Sequence, residues 1–124
     1  RSGSVLLLAQ MSSRGNLLLP DYCKNVVELG RVHTGVLGFI GNGSDAEGIK
    51  SLRNLVGENK MIWTPGVNIA VGDGDLGQRY GDPRQAILAG SDCIIVGSGI
   101  HQSPDPGAAA MQYSKVSWSA FCER

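Results

Sequence analysis

Four short, uninterrupted apolar runs punctuate the chain: Val5 to Ala9, Val36 to Ile40, Met61 to Trp63, and Cys93 to Val96. Each has the length and residue types of a strand buried on both faces. Apolar residues at helical spacing follow each run: Tyr22, Val26, Val27 and Leu29; Ile49, Leu52, Leu55 and Val56; Ala86, Ile87 and Leu88; and Met111, Tyr113, Val116, Trp118 and Phe121. The last stripe reads as the core-facing side of the final helix. Pro20 and Asp21 suit the start of the first helix, Asp45 caps the second, and Asp82-Pro83 sets an acceptor at the N-cap with proline at the first helical position. Pro104 to Gly107 breaks the chain before the last helix. The pattern is α/β, strand then helix, four times over.

Strands that are apolar throughout, each followed by a helix, require a parallel sheet with both faces covered. Two architectures meet that demand: a small open doubly wound sheet, or half of an eight-stranded barrel. The strand starts, at 5, 36, 61 and 93, step by about 30 residues, as the units of a 250-residue barrel do. A half barrel would leave two edge strands unpaired, and it needs its other half.

Length and composition narrow the function classes. The 124 residues allow one domain. Eleven Lys and Arg balance eleven Asp and Glu, so there is no basic stripe to bind a nucleic-acid backbone. No apolar stretch approaches the roughly 20 residues of a membrane span, and the expectation is a soluble chain. Three cysteines, Cys23, Cys93 and Cys122, are odd in number and lack CxxC spacing, which argues against disulfides and zinc and for a cytoplasmic location. Asn42-Gly43-Ser44 is formally a glycosylation sequon but reads as an ordinary turn. The chain opens on Arg1 with an apolar run close behind, which looks like a cut rather than a natural start.

The eighteen glycines matter because most informative residues fall just after strands, where both architectures place ligands. Met11-Ser12-Ser13-Arg14-Gly15 follows the first strand, Thr64-Pro65-Gly66-Val67 the third, and Gly97-Ser98-Gly99-Ile100 the fourth. Residues 72 to 77 match GxGxxG, yet they begin six positions beyond the strand-end Gly66, and the next helix begins only near Pro83. A dinucleotide fingerprint needs a direct strand-to-helix turn, so the nicotinamide reading is set aside. A better reading joins the last two loops. Small residues at Gly97-Ser98-Gly99 let backbone amides approach an anion, and Gln78 and Tyr80 offer neutral donors, which predicts a phosphorylated small molecule. The bland alternative is glycines that only permit close packing at the rim. His33 and His101 read as loop or helix-end residues, and Asp73 and Asp75 as a solvated turn rather than a cation site.

Taken together, Leu6 to Gly15 (LLLAQMSSRG), Asp21-Tyr22, Gly38-Phe39-Ile40, Thr64-Pro65-Gly66-Val67, Gly77-Gln78-Arg79-Tyr80 and Gly90 to Gly97 (GSDCIIVG) resemble the orotidine 5′-phosphate decarboxylase family. The likeness is to the eukaryotic form, often the C-terminal domain of uridine monophosphate synthase, and Tyr113 to Phe121 is similar to its closing helix. The resemblance implies that residues 1–124 are a single partial domain, strands five to eight of a (β/α)8 TIM barrel, the C-terminal half or last four βα units. It implies decarboxylation of orotidine 5′-phosphate to uridine 5′-phosphate (UMP), the last step of de novo pyrimidine nucleotide synthesis, without metal or cofactor. By the same resemblance, Ser12 contacts the pyrimidine's amide edge, Pro65 lines the pocket, Gln78 and Tyr80 close over the phosphate, and Gly97 donates to it. A homodimer is implied, as is the family's occasional fusion to orotate phosphoribosyltransferase.

Two departures follow from the same comparison. The family's Lys flanked by aspartates, which protonates the carbanion at C6, has no counterpart here. Lys24 and Lys50 lie on helices, Lys60 at the start of a strand, and Lys115 outside any such motif, so no catalytic residue is assigned in this chain, and the chain alone is expected to be inactive. Ser98 stands where the family carries a phosphate-binding arginine. The competing readings are a degenerate or binding-only barrel domain that recognises a phosphorylated nucleotide, and a different phosphate-binding barrel enzyme; the latter lacks the MSSRG and GQRY pair.

Overall fold

The structure, a computed structural model, describes residues 3–70, 72–73 and 79–124. Its elements run β1 (Val5–Leu8), α1 (Tyr22–Val32), β2 (Val36–Ile40), α2 (Ala46–Val56), β3 (Met61–Thr64), β4 (Gly72–Asp73), β5 (Arg79–Tyr80), α3 (Pro83–Ala89), β6 (Cys93–Ile94), α4 (Ser98–His101) and α5 (Pro106–Glu123). Local chemistry sets the helix starts, at Asp45 and Asp82 as expected. Asp45 accepts from the Gly48 amide, Asp82 from Arg84 with Pro83 behind it, and Asp105 from Ala108 with Pro106 behind it. Pro106 and Gly107 therefore belong to α5 and do not precede it. Asp21 occupies the N-cap of α1 without a side-chain bond.

The four main strands form one parallel sheet in the order β1-β2-β3-β6. That order decides between the two architectures. A doubly wound sheet reverses direction at a switch point, whereas here each crossover steps the same way. Right-handed crossovers then set every helix on one face, and α1, α2, α3 and α5 do pack side by side in that sequence. Four sequential units with two free edges, β1 and β6, make half of a barrel wall.

The core lies between sheet and helices. Leu7, Phe39 and Ile62 stand in register and meet Val27, Leu52 and Val56, while a second cluster joins Ile49, Val67, Ala86 and Ala89. Residues between them, Leu6, Leu8, Ile40, Met61 and Trp63, alternate onto the other face and stay partly or largely exposed. The β1–β2 register slips between Val5 and Leu6, whose partners are Val36 and Gly38, so β2 carries one extra residue, Leu37. This bulge lets Val36 and Phe39, three apart, both reach the core and leaves Leu37 outside.

The α5 stripe is a correction. Tyr113 and Ala120 are buried, but Met111, Trp118 and Phe121 are 61%, 67% and 42% exposed. Trp118 and Phe121 stack on each other, Arg124 lies over the Phe121 ring, and both rings line the groove beside β6 instead of the core.

The amino ends of the strands are tied by ions. Arg53 donates to the carbonyls of Gly57, Lys60 and Gly90 and to Asp92, and Asp92 also accepts from Arg124 and the Ile62 amide. Burial pushes the Asp92 carboxyl up, yet the Ile62 amide and the Arg124 and Arg53 guanidiniums outweigh it and hold its pKa below the usual carboxylate range. Its stabilising contribution is thus fully present above about pH 4 and lost as pH falls through the lower folded-state value. Asp92→Asn should cost about 2 kcal/mol at pH 7 and flatten the loss of stability below pH 4, read by urea melts at both pH values. Equal acid sensitivity in the variant would remove Asp92 from that role.

Candidate functional site

The carboxyl ends of the strands carry the polar loops, and hydrogen bonds knit these together. After β1, Gln10 accepts from the Asn42 amide through Oε1 and donates through Nε2 to the Gly48 carbonyl, both at 3.0 Å. After β2, Asn42 Oδ1 accepts from the Ser44 amide and hydroxyl, at 3.0 and 2.7 Å. Asn42 is buried in this turn, which is how the sequon was read. The Gly43 amide donates to the Pro65 carbonyl, and a side chain at Gly43 would lie 2.3 Å from that oxygen. Gly81 donates to Gly66 and accepts from Asn68, closing the base of the β3 loop. Close packing of backbone accounts for both glycines.

Of the sequence-predicted residues, Tyr80 and Ser98 come together. Tyr80 Oη and Ser98 Oγ lie 3.1 Å apart, joining the loop after β3 to the loop after β6. Both are half-buried, and Gly97, immediately before Ser98, is exposed with open space around its α-carbon. Pro65 is half-buried beside Gly43. Ser12 is buried in the loop after β1, at the opposite sheet edge from β6. Gln78 lies outside the described residues, as does Asp75.

Gly72 and Asp73 pair antiparallel with Tyr80 and Arg79. The GxGxxG stretch therefore opens on a β-ribbon and not on a strand-to-helix turn. His33 is the C-cap of α1 and His101 ends α4.

Sequence reasoning missed Tyr113. It was assigned to an apolar stripe, yet its hydroxyl accepts from the Ile69 amide and donates to Asn68 Oδ1, each at 3.1 Å, while its ring covers Gly99. A tyrosine among apolar neighbours on a helix facing a glycine-rich loop is the signal that was available: a buried phenol seeks a polar partner. The short α4 also lay hidden in Gly97-Ser98-Gly99-Ile100.

The rim thus offers hydroxyls, amides and backbone but, among the described residues, no cluster of three or more His, Cys, Asp or Glu side chains able to hold a metal ion. No described helix is long and apolar enough to cross a membrane. Both lysines nearest the sheet lie away from this end: Lys60 Nζ donates to the carbonyls of His33 and Val36, and Lys50 pairs with Glu47 on α2.

Comparison with known proteins matches this arrangement. A family model described as orotidine 5′-phosphate decarboxylase / HUMPS family matches residues 1–113. An orotidine 5′-phosphate decarboxylase of Coccidioides immitis is 41% identical over 97% of this chain, which spans 44% of that protein. Crystal structures of orotidine 5′-phosphate decarboxylase from Pyrococcus horikoshii OT3 and orotidine 5′-monophosphate decarboxylase from Sulfolobus solfataricus superpose with TM-scores of 0.73 and 0.71. Each is 26% identical, and 94% of this chain covers 51% and 50% of theirs.

Proposed function

Because the chain belongs to the orotidine 5′-phosphate decarboxylase / HUMPS family, we propose that it is the C-terminal, substrate-recognising half of an orotidine 5′-phosphate decarboxylase. The chain spans less than half the length of the curated relatives it matches, so the reaction belongs to the whole barrel. The observation that carries the reading is the Tyr80–Ser98 hydrogen bond, which joins the two loops that a phosphate site at the end of a barrel requires.

In this reading Ser12 meets the amide edge of the pyrimidine, Pro65 packs on the ring, and Gln78, Tyr80, Gly97 and Ser98 face the phosphate. These groups bind and orient the substrate. Lys60 and Lys50 are engaged away from this end of the sheet, so the acid-base step is assigned to the N-terminal half, where the family carries a lysine flanked by aspartates. The completed barrel gives one pocket with ring recognition from Ser12 and Pro65 and phosphate recognition from the Tyr80–Ser98 pair.

The test is reconstitution. Fused to the N-terminal half of the Coccidioides immitis relative, the chain should convert orotidine 5′-phosphate to UMP, followed by loss of substrate absorbance, and the chain alone should not. A folded fusion that neither turns over substrate nor binds UMP would sink the reading. A folded fusion that binds UMP without turnover would favour the binding-only reading, to which Ser98 gives support.

A further inference from the structure

We propose that Tyr113 is a positioning residue for phosphate recognition, a role that rests on the phosphate reading of the loops after β3 and β6: one phenol on α5 sets the spacing of the loop that carries Tyr80 and the loop that carries Ser98.

The contacts close a circuit. Tyr113 Oη donates to Asn68 Oδ1 and accepts from the Ile69 amide, each at 3.1 Å. The Asn68 amide donates to the Gly81 carbonyl at 2.9 Å, and the Gly81 amide donates to the Gly66 carbonyl at 2.8 Å, so the chain entering the β3 loop is paired with the chain leaving it. Tyr80 directly precedes Gly81, and its hydroxyl meets Ser98 Oγ. One residue past Ser98 is Gly99, where a β-carbon would lie 2.2 Å from Tyr113 Oη and 3.0 Å from its Cζ. The path from Tyr113 through Asn68, Gly81, Tyr80, Ser98 and Gly99 thus returns to its starting point.

Two features separate this from ordinary core packing. Phenylalanine would fill the same space over Gly99, so the hydroxyl is the part that packing does not require. It takes a donor and an acceptor from consecutive residues of one loop, and at 4% exposure Tyr113 keeps water from replacing either bond. The Tyr80–Ser98 bond is different in kind. A phosphate that takes those two hydroxyls competes with their bond to each other, whereas the Tyr113 bonds make no demand on the ligand. With the phosphate bound, Tyr113 still ties both loops to α5, and loops already at the right spacing spend less of the binding energy on ordering.

In the fusion to the N-terminal half of the Coccidioides immitis relative, Tyr113→Phe keeps the ring and removes both bonds. Calorimetric titration should show UMP binding weakened about 10-fold, the upper range for a buried hydrogen bond, with uridine binding unchanged. Asn68→Ala removes the acceptor on the loop side and should lower the same UMP-to-uridine ratio. The double variant should fall no further than Tyr113→Phe alone, because both changes open one circuit. A residue that only packs α5 in place would lower the thermal midpoint and leave the ratio at the parent's value. Parental ratios in both folded variants overturn the proposal, and so does an equal loss for UMP and uridine. Should Tyr113→Phe lose the parent's circular dichroism, Asn68→Ala decides by the same ratio. A parent fusion that holds uridine as tightly as UMP sinks the phosphate reading itself, and the role of Tyr113 with it.

Discussion

Gly38→Ala is expected to cost this chain about 3 kcal/mol or more of folding stability, read as a lower urea midpoint. A β-carbon on Gly38 would sit 2.0 Å from the Met61 carbonyl oxygen, 2.7 Å from its carbon and 2.8 Å from its nitrogen. All three are backbone atoms of the neighbouring strand, so no side chain can swing aside to make room. The strands must part instead, and β2–β3 is the central pair of the sheet. Gly38 follows directly on the extra residue Leu37 and pairs with Met61 of β3. A loss below about 0.5 kcal/mol would mean that the bulge relaxes freely and that Gly38 is there for another reason. Phe39, next in sequence, lies 1% exposed in the core, and truncating it should destabilise through the cavity left behind, so the alanine at 38 must be compared at constant Phe39.

The second large effect concerns binding. In the barrel completed by fusion, Ser98→Arg should tighten UMP binding by about 30-fold or more, the equivalent of about 2 kcal/mol from one charged pair with phosphate. As the chain stands, Ser98 offers one hydroxyl, shared with Tyr80 at 3.1 Å, and no charge. A guanidinium at this position offers a planar fork to two phosphate oxygens and frees the Tyr80 hydroxyl for a third. Calorimetric titration against UMP and against uridine separates the effects: the gain should appear for the nucleotide and vanish for the nucleoside. Equal affinities for parent and variant would place residue 98 away from the phosphate and favour a pocket that holds its ligand by the ring.

The elements that could be read from the sequence are those whose causes are local. Asp45, Asp82 and Asp105 each accept from an amide two or three residues on, and such caps are written in a few consecutive letters. Strand and helix alternation was equally plain, and the strand order then resolved the choice between barrel half and doubly wound sheet. The bulge was not legible, because VLGFI is apolar on every position and hides which residues share a face. The exposure of Trp118 was not legible either: an apolar helix side left exposed has the same pattern of letters as one facing a core. The Arg53–Asp92–Arg124 cluster brings together residues 39 and 32 positions apart in sequence, and only the fold makes them meet. At the candidate site, loop position put Tyr80 and Ser98 on neighbouring loops, but their hydrogen bond, like the Tyr113 bonds to the β3 loop, depends on how the elements come to rest.

Tyr113 acts as a strut. Its hydroxyl braces Asn68 and Ile69, one turn of backbone beyond Pro65, and its helix presents Trp118 and Phe121 to the open groove beside β6. Whatever settles against that groove steadies α5, and a steadier α5 stiffens the loop at the rim. Thermodynamic reciprocity then runs the other way with equal strength: a ligand that orders the loop strengthens the contact at the groove by the same factor. Occupancy of the groove and of the rim would in this way share a single lever, and the dissociation constant of one becomes a gauge of the other.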